Sequence, residues 1–212
     1  MEITFALPKG RLLKESVKFL LKCQIDAEET LKESRKLVFR KGGFKFLLVK
    51  PMDVPTYVYY GAADVGIAGK DVIEEKGYEL YEPLDLGFGK CRLSVAEPVN
   101  IEEPYDLEKL SSIRVATKYP KTTDSYFRSK GIHPEIIVLY GSVELAPLVG
   151  LSDRIVDLVQ TGTTLRENGL REVDVILNST ARLVVNRASL KTKYGKIKPI
   201  IEKMKEVIAN QR

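Results

Sequence analysis

The sequence is poor in the residues on which most metal and nucleophilic sites depend. Of its 212 residues, one is histidine, two are cysteine and none is tryptophan. The single histidine, His133, excludes a histidine-cluster metal site, and in the loop-like stretch 131–134 we expect it at the surface rather than in a Ser-His-Asp triad. Cys23 and Cys91 lack a Cys-x-x-Cys spacing, so we expect two reduced thiols.

Long apolar runs are also absent. No run approaches the roughly 20 residues of a membrane helix, and residues 1–5 lead into a strand-like pattern rather than a signal peptide. Formal net charge is a modest +5, much of it in a late basic run over 187–205 that is typical of a solvated helix face. No nucleic-acid recognition motif is present. We therefore expect a cytoplasmic protein whose basic residues serve a polyanionic small molecule, with no nucleic-acid or membrane partner.

Strand-like and helix-like segments alternate along the chain, which predicts an α/β fold. The pattern predicts strands over residues 3–7, 35–40, 44–49, 63–69, 91–96, 113–117, 136–139 and 155–159, followed by a strand pair near 173–177 and 182–185. It predicts helices after residue 10, over 51–60, from 70, over 122–130 and 143–149, and a long terminal helix from 187 to 209. We expect Pro199 to kink or divide that last helix.

The most informative segment is residues 155–170, with the sequence IVDLVQTGTTLRENGL. An apolar, β-branched strand leads into the turn 161–164, which begins a helix closed by Asn168-Gly169. Backbone N–H groups and three hydroxyls at this turn can donate to a phosphate. Asp157 should leave the strand on the side of Thr161 and accept from sugar hydroxyls. The segment predicts a sugar-phosphate site, although a plain helix cap with a structurally paired acid has the same pattern.

A second turn, Pro8-Lys9-Gly10-Arg11, also joins a strand to a helix and carries basic side chains. Gly10 allows the backbone to approach a ligand closely while Lys9 and Arg11 flank it. Lys9 and Arg11 in isolation fit a surface turn equally well, and Arg35 is ambiguous in the same way.

Several of these segments together resemble the ATP phosphoribosyltransferases, which catalyse the first step of histidine biosynthesis. The long pattern Asp-Leu-Val-x-Thr-Gly-x-Thr-Leu-x-x-Asn-Gly-Leu at 157–170 is the most specific. The resemblance runs from Thr4 to about Asn186, with further matching segments at 6–11 (ALPKGR), 34–37 (SRKL), 51–57, 61–71, 114–120 and 141–147.

The resemblance implies specific roles for residues of these segments. Arg11 and Arg35 would be catalytic, binding the phosphates of ATP and of the departing pyrophosphate. Lys50 is a weaker candidate for the same anion, and Glu144 is a second acid for the ribose, or only a carboxylate favoured at a helix start. The substrate-binding residues implied are Lys9, Gly10, Lys50, Glu144, Asp157, Thr161, Gly162, Thr163 and Thr164, with no protein-ligated metal.

The implied reaction joins N1 of the ATP adenine to C1 of 5-phosphoribosyl 1-pyrophosphate and releases pyrophosphate, as a pentosyltransferase of the glycosyltransferase class does. Arginines that stabilise the negative charge on the leaving group act mainly in the transition state. Adenine N1 already carries a lone pair, so a sequence with one histidine is compatible with this chemistry. Mg²⁺ is expected, held largely by substrate oxygens.

The resemblance also implies a two-lobed fold like that of type II periplasmic binding proteins, with two chain crossovers and a central cleft. Lobe I would comprise residues 1–90 with 180–212, and lobe II residues 91–179 with the phosphoribosyl-pyrophosphate turn. With 212 residues the chain resembles the short form of the family. A short-form chain is expected to form a homodimer within a hetero-oligomer that contains a regulatory subunit resembling histidyl-tRNA synthetase.

Three other functions remain as alternatives. The same fold serves solute-binding modules without catalysis, and fold alone does not decide function. A nucleotide kinase would show a Gly-x-x-x-x-Gly-Lys-Ser/Thr loop, which is absent. A type I phosphoribosyltransferase would show two acids before its Thr-Gly turn, whereas this sequence has only Asp157 there.

Overall fold

A computed structural model describes residues 2–32, 35–101, 105–106 and 111–210. It is an α/β protein with two sheets, as the sequence predicts. The strands are β1 (Ile3–Pro8), β2 (Val38–Lys41), β3 (Phe44–Val49), β4 (Val65–Gly69), β5 (Tyr81–Asp85), β6 (Cys91–Pro98), β7 (Ser112–Thr117), β8 (His133–Val138), β9 (Arg154–Val159), β10 (Leu170–Ser179) and β11 (Ala181–Val185). The α-helices are α1 (Arg11–Lys22), α2 (Val54–Tyr59), α3 (Lys70–Lys76), α4 (Pro120–Ser129), α5 (Leu145–Leu148), α6 (Thr163–Glu167), α7 (Arg187–Thr192) and α8 (Tyr194–Ala209).

The chain divides into two compact units. Met1–Lys90 and Thr180–Arg212 form unit 1, and Cys91–Ser179 form unit 2. Unit 1 has a six-stranded sheet in the order β2-β3-β1-β4-β11-β5, and unit 2 has a five-stranded sheet in the order β10-β6-β9-β7-β8. In unit 1 the parallel strands β3-β1-β4 form the centre of the sheet and antiparallel strands flank them on both sides. In unit 2 the parallel strands β9-β7-β8 form one side of the sheet, ending at β8, and the antiparallel strands β6 and β10 form the other.

Unit 1 packs its helices against aromatic and branched residues of the central strands. The largest of these side chains, Phe5, Phe46 and Ile67, are almost completely buried. The inward face of α1 carries Val17 and Leu20 in the same cluster. The β2–β3 hairpin turns through Gly42-Gly43, and both glycines have positive φ (59° and 81°), as a two-residue turn between twisted strands requires.

Unit 2 contains a buried ion-pair network that ties three adjacent strands together. Glu97 on β6 is fully buried and accepts from Arg154 Nε on β9 at 3.0 Å. Its other oxygen accepts from Arg171 on β10, at 2.8 Å from Nη2. A buried carboxylate is tolerated only when it is paired and hydrogen-bonded in this way.

Two sequence-based expectations are wrong, the pairing of the last two strands and the start of β2, and one strand was not predicted. The expected strand pair does not form, because β10 pairs with β6 of the second sheet and β11 pairs with β4 and β5 of the first. Strand β2 begins at Val38 rather than at Arg35, which lies in a bend. The sequence also gave no signal for β5, a short edge strand with mixed exposure.

The terminal helix is divided at Lys193, whereas Pro199 lies inside α8. The division has a tertiary cause, because the nearly buried carboxylate of Asp64 accepts from Ser189 Oγ at 2.7 Å and from Lys193 Nζ at 2.8 Å. Pro199 is accommodated because the residue four positions earlier, whose carbonyl its ring approaches, is Gly195 with its freer backbone. In the residues described, no helix is long and apolar enough to cross a membrane.

Candidate functional site

In unit 1 the predicted anion-binding residues meet at one edge of the sheet. Strands β1 and β3 run parallel with Pro8 beside Val49, so Lys9 and Lys50 both follow the carboxyl ends of neighbouring strands. The Lys9 N–H donates to the carbonyl of Val49 at 2.8 Å, which ties the two chain segments together. The crevice beyond the carboxyl ends of parallel strands is where open α/β sheets bind ligands.

Gly10 makes the turn at this edge possible. Its φ of 83° and ψ of −148° are unfavourable for any residue with a Cβ atom, and no neighbouring atom lies within 4 Å of where a Cβ would stand. Helix α1 therefore begins at Arg11 without a side-chain cap. The glycine leaves the backbone open to a ligand between two exposed basic side chains, Lys9 and Arg11.

The structure brings Arg35 to the same edge. Strand β2 runs antiparallel to β3, and the Leu37 carbonyl accepts from Leu48 N–H at 2.9 Å, so Arg35 precedes β2 at the carboxyl end of β3. Ser34, which belongs to the matching SRKL segment, lies outside the described residues. Within the described part of the chain, none of the exposed cations Lys9, Arg11, Arg35 and Lys50 has a carboxylate within 4 Å. Four uncompensated charges at one sheet edge suit a polyanion.

In unit 2 the predicted residues also gather at the carboxyl ends of parallel strands. Strands β7, β8 and β9 are parallel, and they are followed by Lys118, by the loop 139–144 and by the turn 161–164 respectively. Helices α5 and α6 cover one face of this sheet, where Val143, Ala146 and Leu165 pack on Ile155 and Val159.

The turn 161–164 is compact and rich in hydroxyl groups. Gly162 has the left-handed conformation (φ 74°, ψ 5°), which its neighbours could adopt only with strain. The hydroxyls of Thr161 and Thr163 are 3.0 Å apart, and the Thr163 N–H points to Thr161 Oγ1 at 3.4 Å. Thr161, Thr163 and Thr164 are exposed, so their hydroxyls are accessible to a ligand. As predicted, α6 ends at Asn168-Gly169, where Gly169 has a φ of 66°.

Asp157 shares the helix-covered face of the second sheet, because it alternates with Ile155 and Val159 along β9. The pKa of its carboxyl is raised to about 6, chiefly by burial; the negative charge of Glu144 contributes to the rise, while the Leu158 N–H and the positive charge of Lys118 oppose it. Thr161 does not share this face through strand alternation, as the sequence predicted, since β9 ends at Val159.

Glu144 immediately precedes α5 and does not cap it with a side-chain hydrogen bond. Its charge acts on the pKa of Asp157, so the structure brings both predicted ribose acids to the same face of the sheet. Lys118, which the sequence-based reasoning did not single out, adds a cation beside them. Lys118 could have been predicted only from its position directly after a parallel strand, and recognising that position requires the strand order to be known.

The sequence-based reasoning missed two arginines here: Arg166 contacts the turn, and Arg92 contacts the residue before it. Arg166 Nη1 donates to the Thr161 carbonyl at 3.1 Å, and its Nη2 donates to Thr163 Oγ1 at 3.2 Å. Arg92 pairs with Glu172 and makes a long contact of 3.4 Å with the Gln160 carbonyl. Both line a groove of about 320 Å³ next to the turn, together with Val99, Thr161, Gly162, Leu165, Leu170, Arg171 and Glu172.

The described residues contain no group of three or more His, Cys, Asp or Glu side chains that could hold a metal ion. Asp157 and Glu144 are two acids close enough for the charge of one to affect the pKa of the other. One or two carboxylates combined with substrate phosphates is a donor set that Mg²⁺ accepts.

Comparison with known proteins shows what this chain resembles. The model of the ATP phosphoribosyltransferase (HisG) family matches residues 50–206. The chain is 55% identical over 208 residues to an ATP phosphoribosyltransferase of Citrifermentans bemidjiense, which covers 97% of this chain and 98% of the relative.

Solved structures give the same result for the fold. The ATP phosphoribosyl transferase (HisG:HisZ) complex from Thermotoga maritima contains a chain with a TM-score of 0.84 and 38% identity, which covers 98% of this chain and 99% of that one. The periplasmic aliphatic sulphonate binding protein SsuA from Escherichia coli has a TM-score of 0.60 at 13% identity, over 98% of this chain and 72% of that protein. The second similarity concerns the fold alone and confirms the predicted periplasmic-binding-protein-like class.

Proposed function

Because the chain belongs to the ATP phosphoribosyltransferase family, which catalyses the first step of histidine biosynthesis, we propose how its residues divide the work on 5-phosphoribosyl 1-pyrophosphate. The turn at Thr161, Gly162, Thr163 and Thr164 binds the 5-phosphate. Asp157 and Glu144 accept from the ribose hydroxyls. Lys9, Gly10, Arg11, Arg35 and Lys50 bind the phosphates of the pyrophosphate and of ATP. The observation that carries this proposal is the difference between the two sheets: the strand ends of the first carry four cations without a described carboxylate partner, and those of the second carry an acid pair beside a hydroxyl-rich turn.

The 5-phosphate assignment is supported by the chemistry of the turn. A phosphate monoester needs several donors at short range, and three exposed hydroxyls with the N–H groups of a glycine turn supply them. Helix α6 has only five residues, so we assign the binding to these local donors rather than to a helix dipole.

The ribose assignment is supported by the position of Asp157 and Glu144 on the same sheet face. Carboxylates accept from the 2- and 3-hydroxyls of a sugar without needing another charged partner. Near neutral pH the carboxyl of Asp157, with a pKa of about 6, is mostly ionised and therefore able to accept. Sugar hydroxyl donors also replace part of the solvation that this carboxylate loses on burial.

The leaving-group assignment follows from where charge develops in the reaction. As the bond from C1 of the ribose to the pyrophosphate oxygen breaks, negative charge accumulates on that oxygen, and the electron pair of adenine N1 forms the new bond to C1. Arg11 and Arg35 have no described carboxylate partner, so their full charge acts on the departing phosphates. Mg²⁺, bound mainly by pyrophosphate oxygens, would supply further charge neutralisation.

The assembly and location are also part of the proposal. The Thermotoga maritima relative was solved as a HisG:HisZ complex. By analogy we propose that this chain forms a homodimer within a hetero-oligomer with a regulatory subunit that resembles histidyl-tRNA synthetase. We place the complex in the cytoplasm, where both substrates, ATP and phosphoribosyl pyrophosphate, are made and used.

The division of labour is tested by steady-state kinetics of two single variants, measured as phosphoribosyl-ATP formation with Mg²⁺. Thr163→Ala should mainly raise KM for phosphoribosyl pyrophosphate, since a hydrogen bond to a charged group contributes about 1.5–3 kcal/mol. Arg11→Ala should mainly lower kcat, by about 100-fold for the loss of one transition-state donor. Lys14→Ala, an exposed change on α1, is the matched control and should alter neither constant. The reverse pattern would show that the two roles are exchanged.

A further inference from the structure

Arg166 holds the hydroxyl turn by two different atoms. It lies on α6 three residues after Thr163, and its guanidinium fork reaches back to the start of the turn. Nη1 donates to the backbone carbonyl of Thr161 at 3.1 Å, while Nη2 donates to the side-chain oxygen of Thr163 at 3.2 Å. One planar side chain thus fixes both a peptide plane and a hydroxyl of the same turn.

These two contacts determine which way the donors of the turn point. In a trans peptide the C=O and the following N–H point in opposite directions, so a carbonyl of Thr161 held by Arg166 directs the Gly162 N–H away from the guanidinium. Thr163 Oγ1 accepts from Arg166, which leaves its own proton to be donated, either to Thr161 Oγ1 at 3.0 Å or to a ligand. Gly162 is closely packed here, because a Cβ atom at this position would stand 3.2 Å from Arg166 Nη1.

Arg166 also differs from its neighbours in charge balance. The groove beside the turn contains three arginines, and two of them are paired with carboxylates, Arg92 with Glu172 and Arg171 with Glu97. Arg166 is exposed, and within the described residues it contacts only neutral oxygen atoms. It is therefore the groove arginine whose positive charge acts on a ligand at the turn without a competing carboxylate.

We propose that Arg166 is a positioning residue that holds the turn 161–164 in a phosphate-binding conformation and adds uncompensated positive charge beside it. The inference rests on the proposed assignment of this turn to the 5-phosphate and deepens it. The ligand class is a phosphate monoester, here the 5-phosphate end of the substrate and not its pyrophosphate.

Two variants of Arg166 distinguish its role in positioning the turn from the effect of its positive charge. Arg166→Lys keeps the charge but cannot hold two acceptors with one planar fork. Arg166→Gln removes the charge and leaves one amide donor. If Arg166 both holds the turn and supplies positive charge beside it, each variant should bind the phosphate monoester more weakly than the parent. Arg166→Gln should then bind it more weakly than Arg166→Lys.

The test is calorimetric titration of the full chain with ribose 5-phosphate and, separately, with pyrophosphate. For Arg166→Gln we expect about tenfold weaker binding of ribose 5-phosphate, equivalent to one charge-assisted hydrogen bond, and unchanged binding of pyrophosphate. In steady-state kinetics KM for phosphoribosyl pyrophosphate should rise while kcat stays within about twofold. Arg128→Gln is the control, since it neutralises an exposed arginine that pairs with Asp124 on α4, and it should leave every constant unchanged.

Thr163→Ala distinguishes failure of this inference from failure of the assignment on which it rests. If Thr163→Ala weakens ribose 5-phosphate binding and Arg166→Gln does not, the role of Arg166 is refuted while the turn keeps its function. If neither variant weakens it, the turn is not the phosphate site. Equal losses for ribose 5-phosphate and pyrophosphate with Arg166→Gln would also overturn the proposal, because they would indicate a general loss of structure or of net charge.

Discussion

Asp157 is predicted to lower the stability of the folded protein at neutral and basic pH. Burial raises the pKa of its carboxyl from 3.8 to about 6, so the folded state disfavours the ionised form. At about 1.36 kcal/mol per pKa unit, the cost of ionisation is about 3 kcal/mol. Asp157→Asn keeps an oxygen that can accept from Leu158 N–H at 2.8 Å but removes the charge. We therefore expect the variant to be more stable than the parent by up to about 3 kcal/mol at about pH 8.

The stability difference between Asp157→Asn and the parent should depend on pH in a definite direction. Because the folded-state pKa is raised, the cost is complete above pH 6, decreases as the pH falls through that value, and is absent below the unfolded-state pKa of 3.8. The advantage of Asp157→Asn should decrease over the same range. Urea unfolding of parent and variant at several pH values measures it directly. A variant less stable than the parent at about pH 8, or a difference that does not change with pH, would refute the reasoning.

Asp153, which immediately precedes β9, provides a control of opposite sign. Partial burial opposes the effect, but hydrogen bonds from the Arg114 side chain and backbone hold the pKa of Asp153 below its usual value. Asp153→Asn should therefore destabilise the protein at about pH 8, and the difference should narrow as the pH falls through the lowered pKa. Opposite effects of two Asp→Asn changes, which alter the net charge equally, cannot arise from a general change in net charge. For Asp157 the same change should also weaken ribose binding, so stability and substrate affinity should move in opposite directions.

Two further predictions follow from the buried network and from the proposed assembly. Glu97→Gln should lower the free energy of unfolding by about 3–5 kcal/mol, because it removes the buried negative charge that pairs with both Arg154 and Arg171; urea unfolding tests this, and a loss below about 1 kcal/mol would contradict it. The purified chain without a regulatory subunit should be poorly inhibited by histidine in the phosphoribosyl-ATP assay, and strong inhibition of the isolated chain would refute the proposed regulatory partner.

Local patterns in the sequence predicted most of the elements of this fold. Three local patterns each indicate one backbone conformation, and the structure has it in each case. The β-branched stretch before Thr161 is an extended strand, and positive φ occurs at Gly10 and in the Gly42-Gly43 hairpin. The helix break at Lys193 could not be predicted in the same way. It depends on the carboxylate of Asp64, more than 120 positions earlier in the sequence, whereas Pro199 gave a local signal that α8 accommodates.

In the candidate site, too, sequence patterns predicted the locally determined residues and missed those that depend on the tertiary structure. Residues in the two turns were recognisable because glycine and hydroxyl residues have local conformational meaning. Arg166 and Lys118 have no such signature, since an exposed arginine on a short helix and a lysine after a strand occur on most surfaces. Their relation to the turn and to Asp157 becomes apparent only when strand order and side-chain direction are known. Asp157 was predicted as a candidate from the strand pattern, but strand alternation does not extend past Val159 to Thr161.

The central claim is that separate sets of residues bind the two ends of phosphoribosyl pyrophosphate, and amide NMR of the ¹⁵N-labelled chain tests it most directly. Titration with ribose 5-phosphate should shift the backbone amide signals of Gly162, Thr163 and Thr164 and leave those of Gly10 and Arg11 in place. Titration with pyrophosphate and Mg²⁺ should do the opposite. If both ligands shift the same amides, or if ribose 5-phosphate leaves the turn 161–164 unchanged, the proposed division of labour is wrong.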